Sequence, residues 1–328
     1  MNPFTAYRTF QENDRIVSRF VEMSTAELDP GEVLIRCEYS SINYKDALSH
    51  NGTGKIMRRY PTNAGIDAAG VVEASDDPRF QPGQRVIVTS FEFGVAHDGG
   101  FSEYVRVPAQ WVVPMPAAMT SFDAMVLGTA GLTAGLAVER MEHDGLAPDK
   151  GPVVVNGATG GVGSVAIEIL ARRGYRVVAL TGKPEEADYL KGLGAAEILD
   201  RRTLDWGRRP LEKATWAGAV DNIGGDALAW MTRTMKQGGT IASCGLAASI
   251  DLQTTVLPFI LRGVSLLGID SGYWPMEPRT RLWERLAIEW KPGRVAAGVK
   301  TIGLRELPNV FQQLLDGRMT GRYVVRIG

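Results

Sequence analysis

Residues 153–183 read VVVNGATGGVGSVAIEILARRGYRVVALTGK: a run of valines, a turn dense in glycine, an amphipathic stretch and a second valine-rich run. Gly157, Gly160, Gly161 and Gly163 fall within seven positions, and Val162, Val165, Ala166, Ile169 and Leu170 then recur at helical spacing. A strand, a glycine turn and a helix in that order make a cradle for a diphosphate. Gly157 permits the tight turn, Gly160 and Gly161 remove the Cβ atoms that would hold a ligand away, and Gly163 lets the helix pack close to the strand. The first-turn N–H groups and the positive end of the helix then face the phosphates, with Thr159, Gly160, Gly161 and Val162 as the contact candidates. The spacing is Gly-x-x-Gly-x-x-Gly instead of the commoner Gly-x-Gly-x-x-Gly, so the surrounding strand–helix pattern is what favours a dinucleotide site over a purely structural turn.

The next strand selects the dinucleotide. A carboxylate about 20 residues beyond the turn binds the ribose hydroxyls of NAD. Here the strand ends ALTGK, with Thr181, Gly182 and Lys183 where the acid would stand. A hydroxyl and an ammonium suit a 2′-phosphate, which makes NADPH the expected cofactor. The alternative for Lys183 is a solvated lysine at a helix entry, with Glu185 nearby.

The rest of the 328-residue chain changes character near Thr120. Before it, IVSRFVEM, EVLIRCEY, DAAGVVEA, QRVIVTSF and FSEYVRVP are short, rich in Val and Ile and separated by the turns DPGE and QPGQ, the pattern of an antiparallel, partly barrel-shaped domain. From Thr120 to about Ser271, strands alternate with helices, which predicts βαβ units and a parallel sheet. Gly174 stops the first helix; a second opens at Pro184 and closes at Gly194. AEIL, AGAVDNI, TIASCG and VSLLGID continue the strand series. Helices in RTRLWERLAIEW and LPNVFQQLLDG and a strand in RYVVRIG follow, most economically returning to the first domain. The expected fold class is α/β: a doubly wound parallel sheet over 121–271, with the β-rich domain built from 1–120 and 272–328.

Composition narrows the function classes. Hydrophobic content of 45% and charged content of 22% are ordinary for a globular chain. A net charge of −1 with no basic block excludes nucleic acid and membrane surfaces as expected partners. Cys37 and Cys244 are the only cysteines, too few for a disulfide framework. MNPFTAYRTFQENDRIV lacks the apolar stretch of a signal peptide, and no apolar run is expected to approach the length needed to cross a bilayer. A cytoplasmic location is therefore expected.

GTAGLTAGLAV followed by GATGGVGSVA resembles the medium-chain dehydrogenase/reductase superfamily. INYKDAL, PGQRVIVTSF, HDGGFSEYVRV, DNIGGDALAWM, PFILRGVSLLGIDS and GRYVVRI are similar to blocks of the YhdH/AcuI-type quinone oxidoreductases, the group containing NADPH-dependent acrylyl-CoA reductases, and the likeness runs from about residue 3 to residue 327. The resemblance implies a GroES-like catalytic domain, a Rossmann NADPH domain, an active site in the cleft between them and a homodimer. The zinc branch of the superfamily needs a cysteine, a His-Glu pair and a further soft ligand, but SINYKDA and NAGIDAAG stand at those places. His50, His97 and His143 lie apart without ligand spacing, so no catalytic metal is expected and hydrogen bonds must polarise the substrate.

Reducing an activated C=C bond takes a hydride from the cofactor, a proton, and stabilisation of the developing enolate oxygen. SINYKDAL offers Asn43 as an amide donor, Tyr44 as a phenol near the nicotinamide, and Asp46 as a proton relay or an orienter. The alternatives are a packing role for Tyr44 and a helix cap for Asp46. Arg201 either adds charge at the 2′-phosphate or is a solvated loop arginine. Position in the family places Leu246, Ile260 and Ser271 on the nicotinamide side, although Leu and Ile are core residues by default, and lets Arg322 reach the cofactor. For substrate, Lys55, Arg58 and Arg59 either hold the phosphates of a coenzyme A thioester or form a solvated loop; Trp274 bounds the pocket, and Tyr323 faces it or packs in its strand. His97, in a glycine loop, reads as structural, and Cys244 as an inert thiol.

The expected activity is zinc-independent, NADPH-dependent reduction of a 2-enoyl thioester, acrylyl-CoA to propionyl-CoA. Its alternative is reduction of quinones or other α,β-unsaturated carbonyls. A non-catalytic NADPH-binding protein is a third class, and the presence of both the cradle and INYKD counts against it. TTVLPFILRGVSLLGID is too apolar for an open sheet edge and predicts a two-fold dimer built through that edge.

Overall fold

The Val- and Ile-rich runs become strands, and the computed structural model, which describes residues 3–328, gathers them into two compact units. One unit holds residues 3–129, 272–288 and 298–328; the other holds 130–271 and 289–297.

In the first unit, β1 (Phe4–Glu12), β2 (Arg15–Met23) and β4 (Thr62–Asn63) form a small antiparallel sheet around a central β1. β3 (Val33–Ser41), β5 (Asp67–Ser75), β6 (Arg85–Thr89), β8 (Val112–Pro114) and two C-terminal strands, β15 (Lys300–Gly303) and β16 (Tyr323–Arg326), make the larger one in the order β15-β16-β3-β5-β6-β8; β7 (Tyr104–Val107) pairs with β3. The N-terminal strand went unread in the sequence. It forms because Asn13 and Asp14 both accept positive φ, which closes a tight hairpin pairing Phe4 with Met23 and Glu12 with Arg15. β16 pairs antiparallel with β3, Val324 opposite Ser41, so the chain's last strand lies beside the start of SINYKDAL. Beneath that segment, Phe311 of the helix Leu307–Leu315 packs on Tyr7, Phe101 and His50, the last from α1 (Tyr44–Asn51).

In the second unit, β9 (Val153–Asn156), β10 (Val177–Thr181), β11 (Glu197–Asp200), β12 (Trp216–Asp221), β13 (Met235–Ser243) and β14 (Ser265–Gly268) are all parallel, in the order β11-β10-β9-β12-β13-β14. The order reverses between β9 and β12, and in such sheets ligands bind outside the carboxyl ends of the strands at that switch point. α3 (Gly161–Arg172) buries Val165, Ala166, Ile169 and Leu170 as its periodicity requires. The helix opening at Pro184 begins as a 3-10 turn and continues as α4 (Ala187–Leu193), ending at Gly194 in the left-handed conformation. α5 (Gly225–Thr234) and α6 (Leu257–Arg262) follow β12 and β13.

Two expectations are corrected. The expected domain bounds shift at two places: residues 121–129 belong to the β-rich unit, where Thr129 and Val126 bond to Asp67 and Arg322, and residues 289–297 belong to the parallel-sheet unit, where Glu168 on α3 accepts the N–H groups of Arg294 (2.8 Å) and Val295 (2.7 Å). Secondly, an apolar segment of membrane-spanning length does exist: α2 (Ser121–His143) has 23 residues. Gly, Ala and Thr in GTAGLTAGLAV dilute its large hydrophobes and hide it in the sequence. Of its most apolar window 83% is buried inside the fold, as expected of a core helix.

Candidate active site

The strand–turn–helix segment has the geometry its glycines suggest. The chain leaves β9 at Asn156 and turns at Gly157 with φ +54°. A Cβ on Gly163 would stand 2.4 Å from the Gly157 carbonyl oxygen, so only glycine lets α3 start this close to the strand. Gly160 N–H returns to Gly157 O at 2.9 Å. Thr159 is buried, Gly160 is exposed at the helix entry, and Gly161 and Val162 are half-buried. The first-turn N–H groups of a helix have no intrahelical acceptors and favour an anion.

The strands beside the cradle are pinned by one buried acid. Asp221, at the end of β12, accepts from Asn156 Nδ2 (2.5 Å), the N–H groups of Ile223 (3.4 Å) and Gly224 (3.1 Å), and Ser243 Oγ (3.2 Å). Burial raises its carboxyl above the usual carboxylate range, and these donors pull against that rise. Asn222 N–H donates to Asn156 Oδ1 (2.5 Å) and its amide to Asn156 O (2.6 Å). The ends of β9, β12 and β13 are thereby fixed across the switch point.

Thr181, Gly182, Lys183 and Arg201 come together at the ends of β10 and β11. Thr181 Oγ1 accepts Lys183 N–H at 3.0 Å, and Thr181 O accepts Arg201 N–H at 2.9 Å. A Cβ on Gly182 would lie 2.6 Å from Arg201 Nε, so the Arg201 side chain lies across the glycine. Partial burial lowers the Lys183 ammonium from its usual range, with Glu186 and Glu185 opposing. Arg202, by contrast, is spent on Asp200 at 2.8–3.1 Å. Arg201 also borders a cavity of about 450 Å³ lined by Trp206, Ile223, Gly224 and Ala248. Sequence reasoning missed these lining residues; the consecutive Gly224 and Gly225 in DNIGGD, both at positive φ, were the available signal. Leu246 and Ile260 are 59% and 67% exposed, against the default for their types. Ser271 is buried and its Oγ lies 2.6 Å from Thr133 Oγ1.

In the first unit, SINYKDAL forms the end of β3 and the start of α1. Asn43 is the N-cap of α1, and Asp46, three positions on, accepts Asn43 N–H (2.8 Å) and Ile66 N–H (3.1 Å). Asp46 is therefore a buried cap of α1. Asn43 Nδ2 donates to Asp67 Oδ2 (2.7 Å) and lies 3.4 Å from Ser41 Oγ, which commits both amide hydrogens; as an amide donor to substrate it is already occupied. Arg322 is buried, with its guanidinium donating to Val126 O (2.8 Å), Ile42 O (3.0 Å), Ser41 Oγ (2.9 Å) and Met125 O (3.3 Å), so it braces this corner from inside the unit. Tyr44 differs: 41% exposed, it begins α1, and its hydroxyl has no partner among the described residues.

The remaining candidates are dispersed. Arg58 pairs with Glu92 and the Tyr273 hydroxyl, and Arg59 with Asp29. Lys55 is exposed with no carboxylate partner among the described residues. Tyr323 packs in the core beside β3 and accepts Lys300 Nζ at 3.1 Å. Trp274 is half-buried, its carbonyl held by Arg279 and its buried Nε1 without a partner. His97 contacts the carbonyls of Pro30 (3.1 Å) and Asp98 (3.3 Å). Burial, then the charge of Asp221, pushes the Cys244 thiol up to about 12, a poor nucleophile.

Two family models match this chain, the alcohol dehydrogenase GroES-like domain over residues 29–117 and the zinc-binding dehydrogenase over 161–287. Acrylyl-CoA reductase AcuI of Ruegeria pomeroyi is 45% identical over 318 residues, 97% of this chain and 96% of its own. The crystal structure of Escherichia coli K-12 YhdH with bound NADPH matches at a TM-score of 0.96 and 42% identity, covering 98% of this chain and 100% of that one. The chain belongs to the medium-chain dehydrogenase/reductase superfamily, in the YhdH/AcuI/YhfP group. The YhfP structure from Bacillus subtilis, with NAD bound, matches at 0.96 and 47% identity over 99% of this chain and 100% of that one. YhfP is provisionally named a quinone oxidoreductase.

The zinc in the second model's name does not fit this member of the superfamily. Among the described residues no group of three or more His, Cys, Asp or Glu is placed to hold a metal. The polar cluster around Asp67 offers one carboxylate, hydroxyls, a carboxamide and a guanidinium, which is not a zinc donor set.

Asp46 carries a pH signature. Burial, then the negative charge of Asp67, raises its carboxyl to about 7, against the pull of the Asn43 and Ile66 N–H groups. A raised folded-state pKa means that its contribution is fully present below the ordinary value of 3.8 and is lost as pH rises through about 7. Urea unfolding at about pH 5 and about pH 8 is expected to show the stability of Asp46→Asn improving relative to wild type at the higher pH. A difference constant across that range would contradict the assignment.

Proposed function

We propose that this chain is a zinc-independent, NADPH-dependent reductase of the C=C bond of a 2-enoyl thioester, with acrylyl-CoA as substrate and propionyl-CoA as product. The observation that carries this reading is Tyr44, an exposed phenol with no partner among the described residues, at the head of a helix whose capping residues Asn43 and Asp46 are engaged internally. The 45% identity to an acrylyl-CoA reductase supports the choice of substrate.

The cradle fits a dinucleotide diphosphate, because the space a Cβ would fill at Gly163 is already taken and α3 begins beside the strand end. Thr159, Gly160, Gly161 and Val162 would hold the diphosphate, and Thr181, Gly182, Lys183 and Arg201 the 2′-phosphate. The cavity beside Arg201 would take the adenosine end, with Leu246, Ile260 and Ser271 toward the nicotinamide. NADPH, when bound, supplies the hydride that reaches the β-carbon of the enoyl group. Tyr44 donates its O–H to the thioester carbonyl oxygen, and that bond strengthens as the oxygen takes on enolate charge. The same hydroxyl holds the proton that the α-carbon finally needs. Asn43 and Asp46 orient Tyr44 without touching substrate. With Arg58 and Arg59 paired to carboxylates, Lys55 is the residue of that basic run left for the phosphates of coenzyme A.

A second reading, reduction of quinones or other enones, has the provisional name of YhfP in its favour. Steady-state rates with acrylyl-CoA, crotonyl-CoA, free acrylate and a small quinone, each with NADPH and NADH, separate the two. The thioester reading expects acrylyl-CoA with NADPH to give the highest kcat/KM, and a quinone preference overturns it. Tyr44→Phe is expected to depress kcat and kcat/KM together, because the interaction is made in the transition state.

Lys183→Ala tests the cofactor reading separately. A charge-assisted contact contributes about 1.5–3 kcal/mol, so KM for NADPH should rise about ten- to a hundred-fold while that for NADH stays near its starting value. An unchanged preference would remove Lys183 from the phosphate site.

The assembly we propose is a two-fold dimer. β14 is an edge strand, and Val256, Ile260 and Leu261 in the segment leading into it are all more than half exposed. Ile260 thus serves either this face or the nicotinamide side. Sedimentation at micromolar concentration is expected to give a dimer, and a monomer would refute the proposal.

A further inference from the structure

Asp67 was not among the candidates that the sequence suggested, yet four donors converge on it. Its carboxylate, fully buried at the start of β5, accepts Ser41 Oγ–H (2.5 Å), Asn43 Nδ2 (2.7 Å), Thr129 Oγ1–H (2.6 Å) and Thr129 N–H (2.9 Å). Ser41 Oγ in turn accepts Arg322 Nη2 at 2.9 Å, which brings a positive charge to the same cluster. The backbone is bent to make room for this arrangement. Inside α2, Gly128 adopts φ +53° and ψ −153°, which aims the next N–H, that of Thr129, at the acid. A Cβ on Gly128 would lie 2.4 Å from Asp67 Oδ2, 2.5 Å from Ser41 Oγ and 2.9 Å from Arg322 Nη2. A helix broken at a glycine to complete the hydrogen bonding of one carboxylate makes that carboxylate a fixed point of the unit.

We infer that Asp67 is a positioning residue for the reaction: through the Asn43 carboxamide it fixes the N-cap of α1 and hence the direction of the Tyr44 phenol. The inference rests on the proposed role of Tyr44. The path is short and physical. Asp67 holds the Asn43 side chain, Asn43 caps the helix, and Tyr44 is the first helical residue after the cap. Asp67→Asn keeps the volume but replaces one acceptor oxygen by an amide NH2, itself a donor, facing the same donors. The Asn43 amide then loses its anchor, and the phenol samples orientations that miss the carbonyl.

The test is a double-mutant cycle with Tyr44→Phe, Asp67→Asn and both together, using the acceptor that wild-type enzyme turns over fastest, with NADPH affinity measured by fluorescence quenching. Asp67→Asn is expected to lower kcat about tenfold with the Kd for NADPH unchanged, and the double variant to lose no more than the more impaired single variant. Ser41→Ala, which removes one of the four donors, should move kcat in the same direction by less and keeps the test available if Asp67→Asn does not fold. Additive losses in the double variant, or an unimpaired Asp67→Asn enzyme beside an impaired Tyr44→Phe one, overturn the inference and leave the Tyr44 reading standing. Loss of NADPH affinity in parallel with kcat makes Asp67 merely structural and also overturns it. An unimpaired Tyr44→Phe enzyme removes the Tyr44 reading, and the inference with it.

Discussion

A carboxylate withdrawn from water must find its hydrogen bonds inside the protein, and each unit is organised around one that does. Asp67 ties β3, the cap of α1 and the bend in α2 to a single point. Asp221 ties the ends of β9, β12 and β13 at the place where the strand order reverses. Both are fully buried, and both take donors from side chains and backbone of several elements. The hydrophobic cores make the sheets; these two acids register the strand ends that carry the polar chemistry.

That accounting also separates supporting residues from residues available to a ligand. Asn43, Asp46 and Arg322 are held inside the first unit by bonds to backbone groups and to the side chains of Ser41 and Asp67. Arg58, Arg59 and Arg202 are held by carboxylates. Tyr44 and Leu246 stay exposed, and Arg201 lies across a glycine beside an open cavity. The superfamily's zinc has no place in this economy, because the cluster in SINYKDA and NAGIDAAG is completed by a guanidinium where a metal site would need soft ligands.

Much of the fold was legible because it rests on short-range patterns. The valine runs, the glycine turn and the helical stripe of Val165, Ala166, Ile169 and Leu170 each reveal themselves within about a dozen residues. The N-terminal strand escaped because a hairpin on Asn13 and Asp14 lacks the usual glycine. α2 escaped because small residues make a buried helix look less apolar than it is. In the site, the cradle and ALTGK were visible, whereas the residues lining the cavity beside Arg201 come from three loops distant in sequence.

The class of each unit, the glycine turn that opens α3, the basic end of ALTGK and the segment bearing Tyr44 are all readable in the linear chain. Local steric rules decide all of these, above all the absence of a Cβ at Gly157 and Gly163. Which polar groups are already spent becomes visible only once the chain is packed. Asn43 and Arg322 read as ligand contacts in the linear chain because a side chain's donors look free until its partners are known. Their partners, Asp67 at 24 residues' distance and Val126 at 196, are brought to them by sheet pairing and by the bend at Gly128.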